Sequence, residues 1–269
     1  MPTETPTILA LDFDGVICDG LLEYFQTSWR TYCKIWQPDS QTPPDNLANI
    51  FYRLRPVIEI GWEMPILIRT LIQGVSETKI VADWSLVAQD IIASDKLNPA
   101  AIGKEVDQTR DEWIATDLEG WLALHQFYPG IIERLEQIIT SDNSTQLFIV
   151  TTKEGRFVKQ LLQQQGIKIS EDRIIGKEIK RPKHQTLRQL LAQFPGTLWF
   201  VEDRLKTLQS VQQQPDLNNV MLFLADWGYN TKAQRDSLGD NSGIQLLSLS
   251  QFVQDFQLWY YREGLGARG

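Results

Sequence analysis

The stretch from Ile8 to Gly20, Ile-Leu-Ala-Leu-Asp-Phe-Asp-Gly-Val-Ile-Cys-Asp-Gly, constrains the fold more than any other part of the chain. Thr7 to Leu11 is a short apolar run of the kind that makes a fully buried parallel strand. It stops at Asp12, with Asp14 two residues on and Gly15 behind it. Side chains alternate along a strand, so residues at i and i+2 share a direction and both carboxylates face the region beyond the strand's carboxyl end. In open α/β sheets that is where ligands bind. Adjacent carboxylates repel, and an apolar strand end holds them only with a cation or a proton. Mg²⁺ is the usual partner of paired oxygen ligands, and it tolerates a phosphate in its shell. Gly15 lets the chain turn away sharply, leaving backbone amides for an anion. The plainer alternative is a solvated Asp-Gly turn.

After Gly20 the periodicity changes. Leu21, Leu22, Tyr24, Phe25 and Trp29 recur at helical spacing, as do stripes in 47–54 and 66–72, with a Pro-rich loop over 37–45 between them. From Asn98, a candidate N-cap followed by Pro99, the pattern predicts one long helix through Trp113 and Trp121 to about Phe127. No strand is expected between Asp19 and Tyr128. From Tyr128-Pro-Gly onward, strands and helices alternate. Strands are expected at 147–150, 174–175, 198–201, 220–225 and 245–249, and helices at 131–139, to Gln165, at 186–194 and at 251–262. Such alternation predicts an α/β fold, a Rossmann-like doubly wound parallel sheet core over 1–19 and 128–269, with an inserted α-helical cap over 20–127.

Composition sets the class of partner. With 269 residues, 42% of them hydrophobic, the chain is long and apolar enough for a sizeable core. A formal charge of −8 disfavours nucleic acid or an anionic membrane, yet a bound cation reverses the sign locally and admits a small phosphorylated metabolite. Cys18 and Cys33 lack metal-ligand spacing and are too few for a disulfide scaffold. No basic-then-apolar leader and no membrane-length run is found, so a cytoplasmic protein is expected. The oligomeric state is left open.

The predicted strand ends collect the reactive groups. Asp12 and Asp14 follow the first strand, Thr151 and Thr152 the second, and Glu202 and Asp203 a later one; Lys183 or Lys180 precedes the last of these. Parallel topology brings such ends to one sheet edge. Together they form a phosphoryl-transfer set: a carboxylate nucleophile, a second carboxylate as acid and base, hydroxyl and ammonium groups for phosphate oxygens, and carboxylates for Mg²⁺.

Leu-Asp-Phe-Asp-Gly-Val-Ile-Cys-Asp, Ile-Val-Thr-Thr-Lys, Arg-Pro-Lys and Phe-Val-Glu-Asp, in that order, resemble the four motifs of the haloacid dehalogenase-like (HAD) superfamily. The insertion after the first motif, the Tyr-Pro-Gly at Tyr128 and the Trp-Gly-Tyr at Trp227 resemble its capped phosphoglycolate phosphatase and β-phosphoglucomutase branch. The resemblance covers about 5–20 and 128–262; the cap is similar in position and helical character only. It implies a Mg²⁺-dependent phosphatase. Asp12 would attack phosphorus and become an aspartyl phosphate, and Asp14 would act as acid and then base. Thr151, with Thr152 beside it, and Lys183 would bind the phosphate. Asp12, the backbone carbonyl of Asp14, Glu202 and Asp203 would hold the metal. A phosphomutase uses the same aspartates, and a catalytically silent binding or scaffold protein on the same fold is a further alternative. Acid work by Asp14 requires a raised pKa, part of which a neighbouring carboxylate supplies.

Two positions depart from the family pattern. Thr207 stands where a further carboxylate is common, with Glu202 as a substitute, and Arg181 intrudes beside Lys180. Other conspicuous residues take plainer readings. Lys153 and Glu154 are expected as surface charges at a helix start, His125, Trp113 and Trp121 as packing residues, and His184 in a solvated loop. Asp19 is expected to fix the exit into the helical insertion. Arg53, Arg55 and Glu63 are minor candidates for reading the substrate.

Overall fold

The computed structural model describes residues 5–141, 145–239 and 242–260. Ile8, Leu9, Ala10 and Leu11 are all fully buried and form β1 (Ile8–Leu11), the centre of a six-stranded sheet. The others are β2 (Gln146–Val150), β3 (Ile174–Ile175), β4 (Leu198–Glu202), β5 (Met221–Ala225) and β6 (Ile244–Leu247). Their order is β3-β2-β1-β4-β5-β6 and every pairing is parallel. Leu11 lies opposite Ile149 on one side and Val201 on the other, so the ends of β1, β2 and β4 are level. The chain leaves β1 in both directions across the sheet. That reversal opens the crevice in which such sheets bind ligands.

Alternation along β4 shows why the strands are apolar throughout. Leu198 and Phe200 join Ile8, Ala10, Leu187, Leu190 and Leu208 in one buried cluster. Trp199 turns to the other face, where its ring lies 5.5 Å from Trp259 and 5.3 Å from Phe223. Both faces are covered, as a parallel sheet requires. Burial of one such side chain is worth about 1.5–3 kcal/mol, so several together offset the several kcal/mol needed to desolvate a carboxylate at the strand end.

The chain divides into two compact units, residues 1–19 with 127–269, and residues 20–126. The regular elements of the second are all helical apart from its last residue, which begins a short strand. Its helices are Leu21–Trp36, Leu47–Leu54, Glu63–Ile72, Glu77–Ala82, Trp84–Ser94, Pro99–Thr116 and Leu118–Leu122, with a 3₁₀ turn at Arg55–Val57. Tyr24, Phe25, Trp29 and Tyr32 point inward at helical spacing, and buried Glu23 accepts from Thr27 Oγ1, Arg110 Nε and Trp121 Nε1. Side-chain caps from Ser76, Asp83 and Asn98 start three of the helices.

Three expectations are corrected. The helix expected from Asn98 to Phe127 breaks at Asp117 (φ −152°), whose carboxylate instead accepts from Gly120 N and caps a new helix. The segment then ends in a two-residue strand, Gln126–Phe127, where none was expected. The final helix is shorter: Ser248 caps Leu249–Phe252, and a 3₁₀ segment, Phe256–Tyr260, follows. Residues 261 and 262 of that expected helix lie outside the described residues. Among the described residues, no helix is long and apolar enough to cross a membrane.

Candidate active site

Asp12 is the first residue past β1. It is buried, and both of its carboxylate oxygens are engaged: Oδ1 accepts from Phe13 N at 2.7 Å, and Oδ2 lies 2.8 Å from Lys183 Nζ. Lys183 opens the helix Lys183–Gln193, so its ammonium enters from the first turn. The same ammonium lies 2.6 Å from Glu202 Oε2 at the end of β4, while Glu202 Oε1 accepts from Arg204 N at 3.1 Å. Asp203 follows, buried. Oxygens of Asp12, Glu202 and Asp203 all fall within 4.8 Å of one another.

Asp203 is held by the loop after β5. Its Oδ2 accepts from Tyr229 N at 2.8 Å, and Asn230 Nδ2 donates to the carbonyls of Asp203 and Ala225 at 3.0 and 2.7 Å. Trp227 Nε1 donates to Val16 O at 3.1 Å, tying this loop to the turn after Asp14. Two glycines make the packing possible. Gly15 has φ +83°, and a Cβ there would collide with Asp203 Oδ2; a Cβ on Gly228 would collide with Asp203 Cβ and the Gly15 carbonyl.

The three buried carboxylates are grouped with one ammonium, Lys183, which pairs with Asp12 and Glu202. The local charge is therefore two units negative when all are ionised. Burial, followed by the charge of Glu202, pushes Asp12 up to about 7, with Lys183 opposing. Burial likewise pushes Glu202 up to about 7; Lys183 lowers it and Asp203 raises it. The Lys183 ammonium goes up despite burial, because Asp12 and Glu202 both hold its proton. A divalent cation cancels the remaining charge, and a set of hard oxygen donors suits such an ion. The residues present therefore fit a metal of this kind.

This arrangement predicts a pH dependence. The folded protein binds protons at Asp12 and Glu202 that the unfolded chain has released, so the stability these protons confer is present near pH 4 and lost as pH rises to about 7. A divalent cation competes with those protons. Metal-free protein is expected to melt at lower temperature at pH 8 than at pH 5.5, and added Mg²⁺ to raise the melting temperature more at pH 8. Equal Mg²⁺ shifts at the two pH values would contradict the proton count.

The remaining residues of the expected set are placed as follows. Thr151, one residue past β2 and buried, lies beside the end of β1, and its Oγ1 accepts from Lys153 N at 3.1 Å. Thr152 is exposed, as is Lys180, which sits in a left-handed turn (φ +49°), whereas Lys183 is nearly buried. The Asp14 carboxylate is not in the three-carboxylate group. It meets Lys153 Nζ, at 3.2 Å from Oδ1 and 3.4 Å from Oδ2.

Lys153 is the residue that sequence reasoning missed. Read as a surface charge, its side chain is only 9% exposed. Its place in the turn directly after a predicted strand end was the available signal. Asp19 accepts from Tyr229 Oη at 2.8 Å. His125 is buried, with Nδ1 3.2 Å from Trp121 O and its ring against Trp121. Arg53 pairs with Glu77 on the surface, Arg55 is buried beneath Tyr24, and Glu63 caps the backbone N–H groups of Glu59 and Ile60.

No family model matches the sequence, and no curated protein matches it either. Solved structures do. A candidate haloacid dehalogenase-like hydrolase from Bacteroides fragilis superposes with a TM-score of 0.55 at 12% identity, covering 92% of this chain and 99% of that one. A predicted phosphatase from Clostridium acetobutylicum gives 0.58 at 13%, covering 93% and 97%. A predicted phosphoglycolate phosphatase from Haemophilus somnus gives 0.55 at 15%, covering 86% and 89%. The chain therefore has the fold of the haloacid dehalogenase-like hydrolases. Its coverage of these structures is nearly end to end, so the shared architecture includes the helical insertion as well as the sheet.

Proposed function

We propose that this protein is a Mg²⁺-dependent phosphatase that hydrolyses a small phosphomonoester through an aspartyl-phosphate intermediate on Asp12. The observation that carries this reading is the buried trio of Asp12, Glu202 and Asp203 at the carboxyl edge of a parallel sheet, with the Lys183 ammonium pairing the first two. Asp12, Glu202 and Asp203, with the backbone carbonyl of Asp14, are the residues that would hold the metal. When bound, it supplies the positive charge that admits a phosphate dianion beside a carboxylate.

The chain's own groups account for the rest. Phe13 N–H and Lys183 fix both oxygens of Asp12, so the nucleophile is oriented before substrate arrives. An Asp12 oxygen forms the new bond to phosphorus as the ester P–O bond breaks, and the carboxyl proton of Asp14 passes to the departing oxygen. Asp14, now a carboxylate, takes a proton from water; the water oxygen bonds to phosphorus and the P–O bond to Asp12 breaks. Acid–base help of this sort is worth about 10²–10⁴ in rate. Thr151 Oγ1 and Lys183 are the donors for the phosphoryl oxygens. Residues 20–127 form the cap, the part of the chain that sets substrate choice.

The test is a panel of small phosphomonoesters assayed with Mg²⁺ and with a chelator. Phosphate release from at least one ester, lost on chelation and restored by Mg²⁺, is expected. No release from any of them by Mg²⁺-loaded, folded protein would overturn the reading.

A further inference from the structure

We infer that Lys153 is a positioning residue for Asp14, holding its carboxylate in place for the step in which the aspartyl phosphate is hydrolysed. The inference rests on the phosphatase reading above. Lys153 sits in the turn that follows β2, and this turn is pinned from two directions. Lys153 N donates to Thr151 Oγ1 at 3.1 Å, and Lys153 O accepts from Lys177 N at 2.9 Å. Gly155 N donates to Glu178 Oε2 at 3.1 Å one step further on. The base of the lysine is thereby fixed, and its ammonium, nearly buried, reaches both oxygens of Asp14.

Asp14 sits in a turn closed by Gly15 N to Cys18 O at 2.8 Å and Ile17 N to Phe13 O at 2.9 Å. The ion pair therefore joins two rigid turns at neighbouring strand ends. A solvated lysine has no reason to leave water for such a place unless a charged partner holds it there. The pair leaves the Asp14 carboxylate with a single direction, and a base that must take a proton from one water depends on direction. A brace with no part in the chemistry would instead affect both half-reactions alike.

The experiment uses acetyl phosphate or p-nitrophenyl phosphate, whose leaving groups depart without a proton and so bypass the acid role of Asp14. Full-length wild type, Lys153→Met, Lys153→Arg, Asp14→Asn and the Lys153→Met/Asp14→Asn double variant are compared. Acid-quenched phosphoenzyme and steady-state phosphate release are both measured, with melting temperature as the check on folding. Lys153→Met is expected to lower steady-state release about 10- to 100-fold while phosphoenzyme accumulates towards one per chain. Lys153→Arg keeps most of the rate, and the double variant is no slower than Asp14→Asn, because the two residues act as one unit. If Lys153→Met does not fold, Lys153→Gln takes its place.

Parallel loss of phosphoenzyme formation and breakdown, no loss at all, failure of the arginine rescue, or additive losses in the double variant would each overturn the inference. An impaired Asp14→Asn beside a normal Lys153→Met sinks the Lys153 inference alone. Wild type that releases no phosphate from either ester, or Asp14→Asn that turns over normally, sinks the phosphatase reading and the inference with it.

Discussion

Asp12→Asn is expected to reduce turnover by at least about 10⁴-fold, the scale seen when a nucleophile is removed, while leaving substrate binding measurable. An amide oxygen is too weak a nucleophile to displace the ester. Stability is expected to change in a particular way too. Phe13 N–H and the Lys183 ammonium face the two oxygens of Asp12, and both are donors. An amide must turn its NH₂ towards one of them, which costs about 1–3 kcal/mol for the unmet group. In exchange, one of the two carboxylates held near pH 7 no longer titrates. The variant therefore melts below wild type at pH 5.5, but its metal-free stability falls less between pH 5.5 and 8. Thermal unfolding with a chelator at both values checks this; a slope as steep as that of wild type would remove Asp12 from the coupled set.

Lys183→Met is the second large effect. Methionine keeps much of the buried stem and deletes the charge, leaving Asp12, Glu202 and Asp203 with no opposing ammonium from Lys183. Breaking a buried pair from one side costs about 3–5 kcal/mol, because the other partner stays desolvated. Part of that loss is avoidable by protonation, since Asp12 and Glu202 lose the group that holds their pKa values down. The destabilisation is thus expected to be full at pH 8, smaller at pH 5.5, and reduced by Mg²⁺. Urea unfolding under the three conditions measures it. Equal losses throughout would mean that Lys183 acts by packing and not by charge.

Both expectations turn on a cluster whose members lie up to 191 positions apart (Asp12 and Asp203). Much of it was legible beforehand for a simple reason. Four buried strands ending in polar residues must, if parallel, deliver those residues to one edge, so Asp12, Thr151, Glu202 and Asp203 were readable from hydrophobic runs that stop at a charge. The choice between Lys183 and Lys180 was not. Both lie in one basic loop, and only the left-handed turn at Lys180 and the helix start at Lys183 decide which ammonium goes inward. Lys153 was misjudged because charge predicts exposure on average, and its place just after a strand end does not reveal which counter-ion another strand supplies.

In the helical unit the differences were of boundary, apart from the short strand that begins at Gln126. Asp117 has the spacing of an ordinary surface residue in a long helix, yet its short carboxylate competes for backbone amides and ends that helix. What the amino-acid order determined by itself was the repeating pattern: apolar strands closed by carboxylates, a helical insertion after the first of them, and thereby an α/β sheet with its reactive groups on one rim. Only the tertiary structure decided which charges face each other. An ion pair depends on distances between segments remote in sequence, and in a buried site a few ångströms separate a neutralised carboxylate from one that must take up a proton or a metal.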